Sequence, residues 1–402
     1  MILDFPGGAR PTVRTKLGKK KIDIHESCSA VCLNAADDAT VSAKAGTTVL
    51  RGALLGTSDG TPVYSPISGV FRGVLNLEGK NYFTVVADGP DAEERIFEPE
   101  SRALTELTRE DIIESARKFA IVDTRSGMPL WKLLTLCKDS CKRLVIDCTE
   151  TDPESAINYR LGIEYAREIV CGAKILVRAT GALRCVFAAE YYRNAAFAEF
   201  NRHAGDDSLF VTAQLEEKYP YGDRALMYAL YVKTLKKGQT ALDEGVLIVA
   251  PETAIALYCA MLNGMPQLDR FITVCGEGID KGGNFRFPRG ITLHDISGIC
   301  GGIENKHFFI ENSLLNGAPV TSAVCDSTHA LIAAKPQRKK RTECISCARC
   351  AEVCPVKLIP RDVLAGDVER LQSFCVSCGA CQYICPSGIP LMDLIYPQKE
   401  AK

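Results

Sequence analysis

Eight cysteines near the C-terminal end are the residues best suited to chemistry. A C-x2-C-x2-C-x3-C-P run is formed by Cys344, Cys347, Cys350 and Cys354, and the same spacing recurs at Cys375, Cys378, Cys381 and Cys385. This double run is typical of proteins with two [4Fe–4S] clusters, in which the fourth cysteine of each run binds the other cluster. We therefore predict one cluster on Cys344, Cys347, Cys350 and Cys385, and a second on Cys375, Cys378, Cys381 and Cys354.

Cysteines can also serve two other roles. A structural zinc site uses two separated C-x2-C pairs and four ligands, which fits two quartets with a shared x3-C-P ending poorly. Two C-x3-C pairs, Cys28 with Cys32 and Cys137 with Cys141, would share a helix face if their segments are helical. A reactive dithiol is then one interpretation, and two small buried side chains are the other. The remaining cysteines lie mostly in apolar runs, which favours core positions.

Composition limits the classes of protein that this chain can be. It has 402 residues, 47% hydrophobic and 24% charged, which predicts three or four globular domains. A formal net charge of -1 argues against nucleic-acid binding. No stretch approaches eighteen apolar residues, and the N-terminus lacks a secretory signal pattern, so we expect a soluble, cytoplasmic protein without direct membrane insertion. In a reducing compartment, nineteen cysteines indicate metal or redox chemistry.

The elements that position these residues change character along the chain. Short apolar runs broken by Gly, Pro and Asn predict an all-β module over 45–86. From about 110 to 240 strands and helices alternate, which predicts a parallel sheet with helices packed on it. The predicted strands are 120–122, 142–148, 174–179 and 208–213. Ligands of such sheets lie beyond the carboxyl ends of the strands, here in the loops 123–131, 149–153 and 216–224. A G-x-G-x-x-G motif is absent.

The stretch that precedes the cysteine runs, from about residue 270 to 330, has the pattern of a β-rich module. The run Pro336-Gln-Arg-Lys-Lys-Arg341 then forms a charged linker into the cysteine segment. A solvated hinge is the first interpretation of this run, and a docking patch for an acidic partner is the second.

The order of these segments resembles a known family. Leu144-Val-Ile-Asp-Cys-Thr-Glu-Thr-Asp-Pro153, Lys218-Tyr-Pro-Tyr-Gly-Asp-Arg-Ala-Leu226 and the cysteine runs are similar to the RnfC-like electron-transport proteins. These proteins include the C subunit of the Rnf complex and an electron-transfer protein associated with proline reductase, and they are related to the flavin subunit of complex I. The same resemblance matches two further segments to the start of the family's β-grasp module. They are Gly245 to Thr253 and the region at Cys275.

The resemblance implies a multidomain α/β fold. Its parts would be a barrel-sandwich-like β domain over 1–105, a Rossmann-like, flavoprotein-like domain over 106–262, a β-grasp (SLBB-like) module over 263–335 and a ferredoxin-like domain over 336–402. It also implies a flavin or nucleotide pocket, lined by Gly127, Glu150, Asp152, Tyr219, Gly222 and Asp223.

One segment departs from the family pattern. Family members with flavin activity bind FMN and NADH on a glycine-rich loop, because glycines let backbone amides close on phosphate. Here Val122-Asp-Thr-Arg-Ser-Gly-Met-Pro-Leu130 takes that place, and only Gly127 and Pro129 of the pattern survive. Asp123 brings a negative charge, which Arg125 could offset, and Ala250-Pro-Glu-Thr replaces an asparagine-rich turn. Both changes weaken the implied FMN and NADH sites.

Three functions follow, in order of preference. The first is an electron-transfer protein whose two [4Fe–4S] clusters exchange electrons with a partner reductase or donor. The second is a subunit of an FMN-dependent NADH dehydrogenase that feeds the clusters, and the third is a structural or regulatory iron–sulfur protein. We expect a redox partner protein. Peripheral attachment to a membrane complex, through other subunits, is left open.

Overall fold

The chain folds into a mixed α/β structure with several sheets. The structure is a computed structural model that describes residues 1–11, 15–88, 97–137, 141–236, 238–335 and 340–397. Within these ranges, strands form a parallel sheet, a mixed five-stranded sheet and two small antiparallel sheets, and short helices form the cysteine segment. The predicted mixed α/β class is confirmed.

The parallel sheet lies at the centre of the chain. In spatial order its four strands are Phe210–Leu215, Arg184–Glu190, Arg143–Asp147 and Val246–Val249. Alternate side chains of Arg143–Asp147 enter different cores, with Leu144 and Ile146 on one face and Val145 on the other. Helices therefore cover both faces, as parallel sheets require. They are Arg109–Lys118, Leu130–Leu136, Ile157–Glu164, Ala166–Thr180, Asn194–Ala204, Asp223–Tyr231 and Pro251–Asn263.

Two predicted strands of this sheet are wrong. Residues 174–179 belong to the helix Ala166–Thr180, which ends at Gly181 in a left-handed conformation. A short apolar run fits a buried helix face as well as a strand, and here it lies on the buried face of the helix. At 120–122 the structure has only an isolated bridge from Val122 to Pro129. The strands missed in their place are Arg184–Glu190 and Val246–Val249, so the segment matched to a β-grasp start belongs to the parallel sheet.

The five-stranded sheet contains residues from both ends of the chain. Its order is Ile22–Ile24, Gly283–Pro288, Asp269–Cys275, Ala330–Ala334 and Phe308–Glu311. Helix Leu293–Ile299 packs on it through the buried Ile296. Two isolated β-bridges join the N-terminal residues to a later part of the chain: Leu3 pairs with Leu215, and Ala9 pairs with Tyr219. The described strand and bridges before residue 25 thus join the N-terminal residues to the parallel sheet, to the segment after its strand Phe210–Leu215 and to the five-stranded sheet.

The two small sheets follow this N-terminal segment. One contains Ala30–Ala35, Lys80–Ala87, Gly69–Leu77 and Thr48–Val49, and the other contains Thr40–Val41, Leu54–Ser58 and Thr61–Tyr64. Their shared core includes Val31, Leu55, Phe71 and Phe83, none of them exposed. Cys32 lies in the strand Ala30–Ala35 and Cys28 precedes it, so this pair does not share a helix face.

Residues 340–397, called the cluster segment below, form the last part. Its helices are Arg349–Glu352, Val368–Phe374, Ala380–Ile384 and Leu391–Ile395, with a 3-10 turn at Pro360–Ala365. Leu371, Ala380, Leu391 and Ile395 fill its core together with several cysteines. Most of the predicted linker, residues 336–339, lies outside the described residues. The second C-x3-C pair flanks undescribed residues 138–140, and both Cys137 and Cys141 are buried.

Helix packing beside the parallel sheet gives a test of this fold. A Cβ at Gly172, in the helix Ala166–Thr180, would lie 2.0 Å from the carbonyl oxygen of Ala254 in helix Pro251–Asn263. We expect Gly172→Ala to lower the free energy of unfolding by about 1–3 kcal/mol, because the two helices must move apart. The urea midpoint, followed by circular dichroism, measures this. Gly298→Ala is the control, since that helical glycine has open space around it and should be neutral or slightly stabilising.

Candidate functional site

The cysteine runs adopt tight left-handed turns between their thiols. Ser346, Ala348, Ser377 and Gly379 all have positive φ. The backbone N–H of Leu358 donates to Sγ of Cys354 at 3.3 Å, and that of Ser377 donates to Sγ of Cys375 at 3.4 Å. Amide groups directed at cysteine sulfur are a feature of iron–sulfur sites, where they stabilise the anionic cluster.

Four thiols from the two runs lie together inside the cluster segment. One small cavity is lined by the inner set, Cys354, Cys375, Cys378 and Cys381. Burial raises the pKa of Cys381 to about 12, and the neighbouring thiols of Cys378, Cys375 and Cys354 contribute to the rise. Cys354 therefore lines this cavity with the three thiols of the second run, as the crossed ligand sets require, while Cys350 of its own run is also a neighbour.

Two of the other four thiols are exposed to solvent, whereas Cys375 of the inner set is half-buried. The outer set comprises Cys344 and Cys347, which are exposed, and Cys350 and Cys385, which are buried. A backbone hydrogen bond from Thr342 N–H to the carbonyl oxygen of Ser387, 2.9 Å long, joins the two segments that carry these thiols.

The donor set suits a cluster. All eight side chains are cysteines, whose thiolates are the usual ligands of [4Fe–4S] clusters. Within the described ranges, no three His, Cys, Asp or Glu side chains converge closely enough to hold a single metal ion. A cube does not need such convergence, because each of its four irons takes a separate thiolate.

Two other parts of the chain contact the backbone that carries the inner set. A Cβ at Gly7 would lie 2.4 Å from the carbonyl oxygen of Cys354, so only glycine allows this approach, and Gly8 N–H donates to the carbonyl of Val353 at 2.9 Å. The Tyr219 hydroxyl donates to the carbonyl oxygen of Cys378 at 2.6 Å. Tyr219 follows the parallel sheet, yet its buried ring belongs to the core of the cluster segment. It also lines a cavity of about 1150 Å³ together with Asp152.

A second polar region lies at the carboxyl edge of the parallel sheet. The chain reverses its direction of strand addition between Arg143–Asp147 and Val246–Val249, which is where open α/β sheets bind ligands. Asp123 lies there, fully buried. Its Oδ1 accepts hydrogen bonds from Ala250 N–H at 3.0 Å and from the Thr253 hydroxyl at 2.8 Å. Asp123 thereby caps the helix Pro251–Asn263.

The second oxygen of Asp123 is also satisfied. Its Oδ2 accepts from the N–H of Ser126 at 3.0 Å and from the Ser126 hydroxyl at 2.6 Å. Next to it, Arg125 Nε donates to Oδ2 of Asp147 at 2.7 Å, and Arg125 Nη1 pairs with Asp223. The loop Val122–Leu130 therefore places its own carboxylate and guanidinium across the edge of the sheet.

A third group of charges lies one strand further on. The backbone N–H of Glu150 donates to Glu190 at 3.0 Å, and Arg193 pairs with Glu190 at 3.6 Å. Oε1 of Glu150 accepts from Tyr159 N–H, and Oε2 accepts from the Ser155 hydroxyl. Burial raises the pKa of Glu150 to about 7, although the Arg193 charge opposes the rise. Sequence reasoning missed Glu190 and Arg193, because it did not predict the strand Arg184–Glu190.

The six predicted pocket residues are therefore spread over several places. Asp223 joins Arg125, Glu150 joins Glu190, and Tyr219 faces the cluster segment. Asp152 accepts a hydrogen bond from Leu314 N–H at 3.0 Å and so ties the parallel sheet to the five-stranded sheet. Gly222 precedes the helix Asp223–Tyr231, and a Cβ at Gly127 would touch Ser327.

At the N-terminus of the helix Pro251–Asn263, the edge of the parallel sheet is not suited to binding a nucleotide phosphate. A helix N-terminus attracts phosphate through free N–H groups and the helix dipole. At Pro251–Asn263 the carboxylate of Asp123 already occupies that position and uses the nearby donors. A phosphate placed there would meet a buried like charge, which is strongly unfavourable.

Comparison with known proteins finds a matching family for the region around the parallel sheet and another for the cluster segment. Residues 124–259 match the Nuo51 FMN-binding domain family, and residues 343–389 match the 4Fe-4S dicluster domain family. The cluster segment is thus a two-cluster [4Fe–4S] domain, and the predicted iron–sulfur cofactors are confirmed.

Similar whole proteins are the C subunits of ion-translocating oxidoreductase complexes. The chain is 28% identical to the C subunit of such a complex from Klebsiella pneumoniae, over 80% of this chain and 45% of that protein. It is 24% identical to the C subunit of a Na(+)-translocating ferredoxin:NAD(+) oxidoreductase complex from Acetobacterium woodii, over 80% and 76%. The C subunit from Rhodobacter capsulatus is 31% identical over 59% and 48%. The predicted resemblance to RnfC-like proteins is confirmed, although the chain spans about half the length of most of these relatives.

A solved structure shares the fold more distantly. An NAD+-reducing [NiFe]-hydrogenase in its H2-reduced state matches with a TM-score of 0.50 and 14% identity, over 75% of this chain and 66% of that chain. None of the described helices is long and apolar enough to cross a membrane.

Tyr219 allows the environment of the inner set to be tested. Tyr219→Phe removes the donor to the Cys378 carbonyl, so we expect the reduction potential of one cluster to shift by on the order of tens of millivolts while the other is unchanged. Potentiometry followed by electron paramagnetic resonance measures both. Tyr221→Phe is the matched control, because Tyr221 is also buried and donates to a carbonyl, that of Glu216, at 2.7 Å. Equal shifts in the two variants would contradict the assignment.

Proposed function

We propose that this protein transfers electrons through two [4Fe–4S] clusters, to or from a partner reductase. One observation carries the proposal: four thiols from two separate cysteine runs line a single buried cavity, with backbone amides directed at their sulfurs. The dicluster family match over 343–389 supports it. When bound, a [4Fe–4S] cluster gains and loses electrons singly.

The chain's own residues supply the rest of this function. The inner set would hold one cluster, and the outer set, Cys344, Cys347, Cys350 and Cys385, would hold the other. Leu358 and Ser377 contribute amide donors, while Gly7 and Tyr219 cover the inner set. These contacts hold the backbone that carries Cys354 and Cys378 in place, and the surroundings of the sulfurs are one means by which a protein sets a cluster potential.

A flavin-dependent NADH dehydrogenase is the second candidate, because residues 124–259 match an FMN-binding family. The filled helix terminus at Asp123 weighs against it. Glu150 and Asp223 also pair with protein groups. Asp152 accepts from Leu314 N–H, although it also lines the cavity of about 1150 Å³. We therefore prefer the electron-transfer function without flavin.

We further propose how the parts correspond to the family. The two small sheets packed around one core support a barrel-sandwich assignment for 30–87, within the proposed domain 1–105. The five-stranded sheet with one packed helix supports a β-grasp, SLBB-like module over 263–335. The parallel sheet supports a Rossmann-like domain over 106–262, which leaves 336–402 as the ferredoxin-like domain. The relatives are described as subunits of complexes, so we also propose a protein redox partner.

Cysteine variants test the proposed ligand sets. Anaerobically reconstituted protein should hold about eight irons per chain, and Cys354→Ser should lose about half of them. Because Cys354 is assigned to the inner set, the spectrum of the Cys354→Ser protein should match that of Cys381→Ser and differ from that of Cys350→Ser. Cys300→Ser, at a buried cysteine outside both sets, is the control and should retain full iron. Matching spectra for Cys354→Ser and Cys350→Ser would contradict the crossed arrangement.

Flavin content separates the two candidate functions. Protein purified without added flavin should release no FMN on denaturation, and NADH should not reduce its clusters, because Asp123 fills the phosphate position. Absorbance of the denatured supernatant and anaerobic NADH titration measure these. One FMN released per chain, with clusters reduced by NADH, would favour the dehydrogenase.

A further inference from the structure

The two sets of thiols have different surroundings. The segment that carries the inner set is in contact with the N-terminal residues, with the loop after the parallel sheet and, where Leu315 packs on Gly379, with a loop of the five-stranded sheet. In the outer set, Cys344 and Cys347 are exposed, as is every residue of the loop Lys340–Arg349.

Large apolar side chains are exposed beside the outer thiols. Ile345, between Cys344 and Cys347, is 66% exposed, and Tyr383, two residues before Cys385, is 57% exposed. Isolated exposed apolar residues are ordinary. Here Ile345 lies between two thiols of the outer set, and Tyr383 lies midway between Cys381 of the inner set and Cys385 of the outer set. Interface centres favour such aliphatic and aromatic contacts.

The charge of this loop is predominantly positive. Lys340, Arg341 and Arg349 are its basic residues and Glu343 is its acidic one, with Glu352 just beyond. Among the described residues, none of the three basic side chains forms an ion pair with a carboxylate. A surface of this kind attracts acidic proteins and raises their association rate.

We propose that the loop Lys340–Arg349, with Tyr383, is the docking surface for an acidic protein that carries a one-electron centre. This inference rests on the proposed electron-transfer function and names its partner class. In the exchange, one electron leaves the reduced protein and one reaches the carrier. The protein is oxidised by one electron and the carrier is reduced by one, and no bond or proton changes.

Stopped-flow electron transfer from the dithionite-reduced protein to an acidic ferredoxin tests the surface. We expect Ile345→Glu and Arg341→Glu to slow the reaction about tenfold, and added salt to slow the wild type. Electron transfer to methyl viologen, which needs no protein interface, should be unchanged in both variants. The controls are Leu183→Glu, at a 73% exposed leucine before the strand Arg184–Glu190, and Lys44→Glu, at an exposed lysine between the strands Thr40–Val41 and Thr48–Val49. Both should match wild type.

The outcomes separate this surface from the function on which it rests. Absence of reducible cluster signals in the wild type would contradict the electron-transfer function itself. With clusters present, an unchanged rate for Ile345→Glu, or an equal loss with methyl viologen, would overturn the docking surface. A basic c-type cytochrome that reacts faster than the ferredoxin at low salt, and slows as salt is added, would overturn the acidic partner.

Discussion

The structure depends on bringing Cys354 beside a cysteine run that begins twenty-one residues later in the chain. The first cysteine run ends at Cys354. The cavity that Cys354 lines is also lined by the cysteines of the second run, Cys375, Cys378 and Cys381. The intervening turns and helices must fold the segment back on itself to meet this requirement. Other parts of the protein then pack onto the result. Gly7 reaches the Cys354 carbonyl and Tyr219 reaches that of Cys378, so the ends of the chain and its central sheet are joined through the cluster segment.

The central sheet retains the geometry of a ligand-binding fold while its edge is filled by the protein. Asp123, Arg125 and Asp147 occupy the position where strand order reverses, and Asp123 makes four hydrogen bonds there. A buried carboxylate is costly unless donors satisfy it, and here a helix terminus and a serine supply them. The chain matches an FMN-binding family over 124–259, and within this match a buried carboxylate lies at the helix terminus where a phosphate would meet a like charge.

The two sets of thiols differ in their exposure to solvent. Three cysteines of the inner set are buried and Cys375 is half-buried, while Cys344 and Cys347 of the outer set are exposed beside Ile345. Enclosure favours a fixed environment, and exposure favours contact with another protein. This difference in exposure follows from how the segment is packed, because both cysteine runs have the same spacing.

Features that depend on near neighbours in the chain could be predicted from the sequence. Cysteine spacing predicted two clusters because the ligands of each run lie within about ten residues, and the alternation of strands and helices predicted a parallel sheet. It failed at residues 174–179, where an apolar run suits a helix face as well as a strand, and consequently missed Glu190. Only the tertiary structure decided that Asp123 meets Ala250 and Thr253, that Arg125 meets Asp223, and that Tyr219 faces Cys378. These partners are separated by about a hundred residues or more, and no local propensity records such contacts, because they arise only when distant segments pack together.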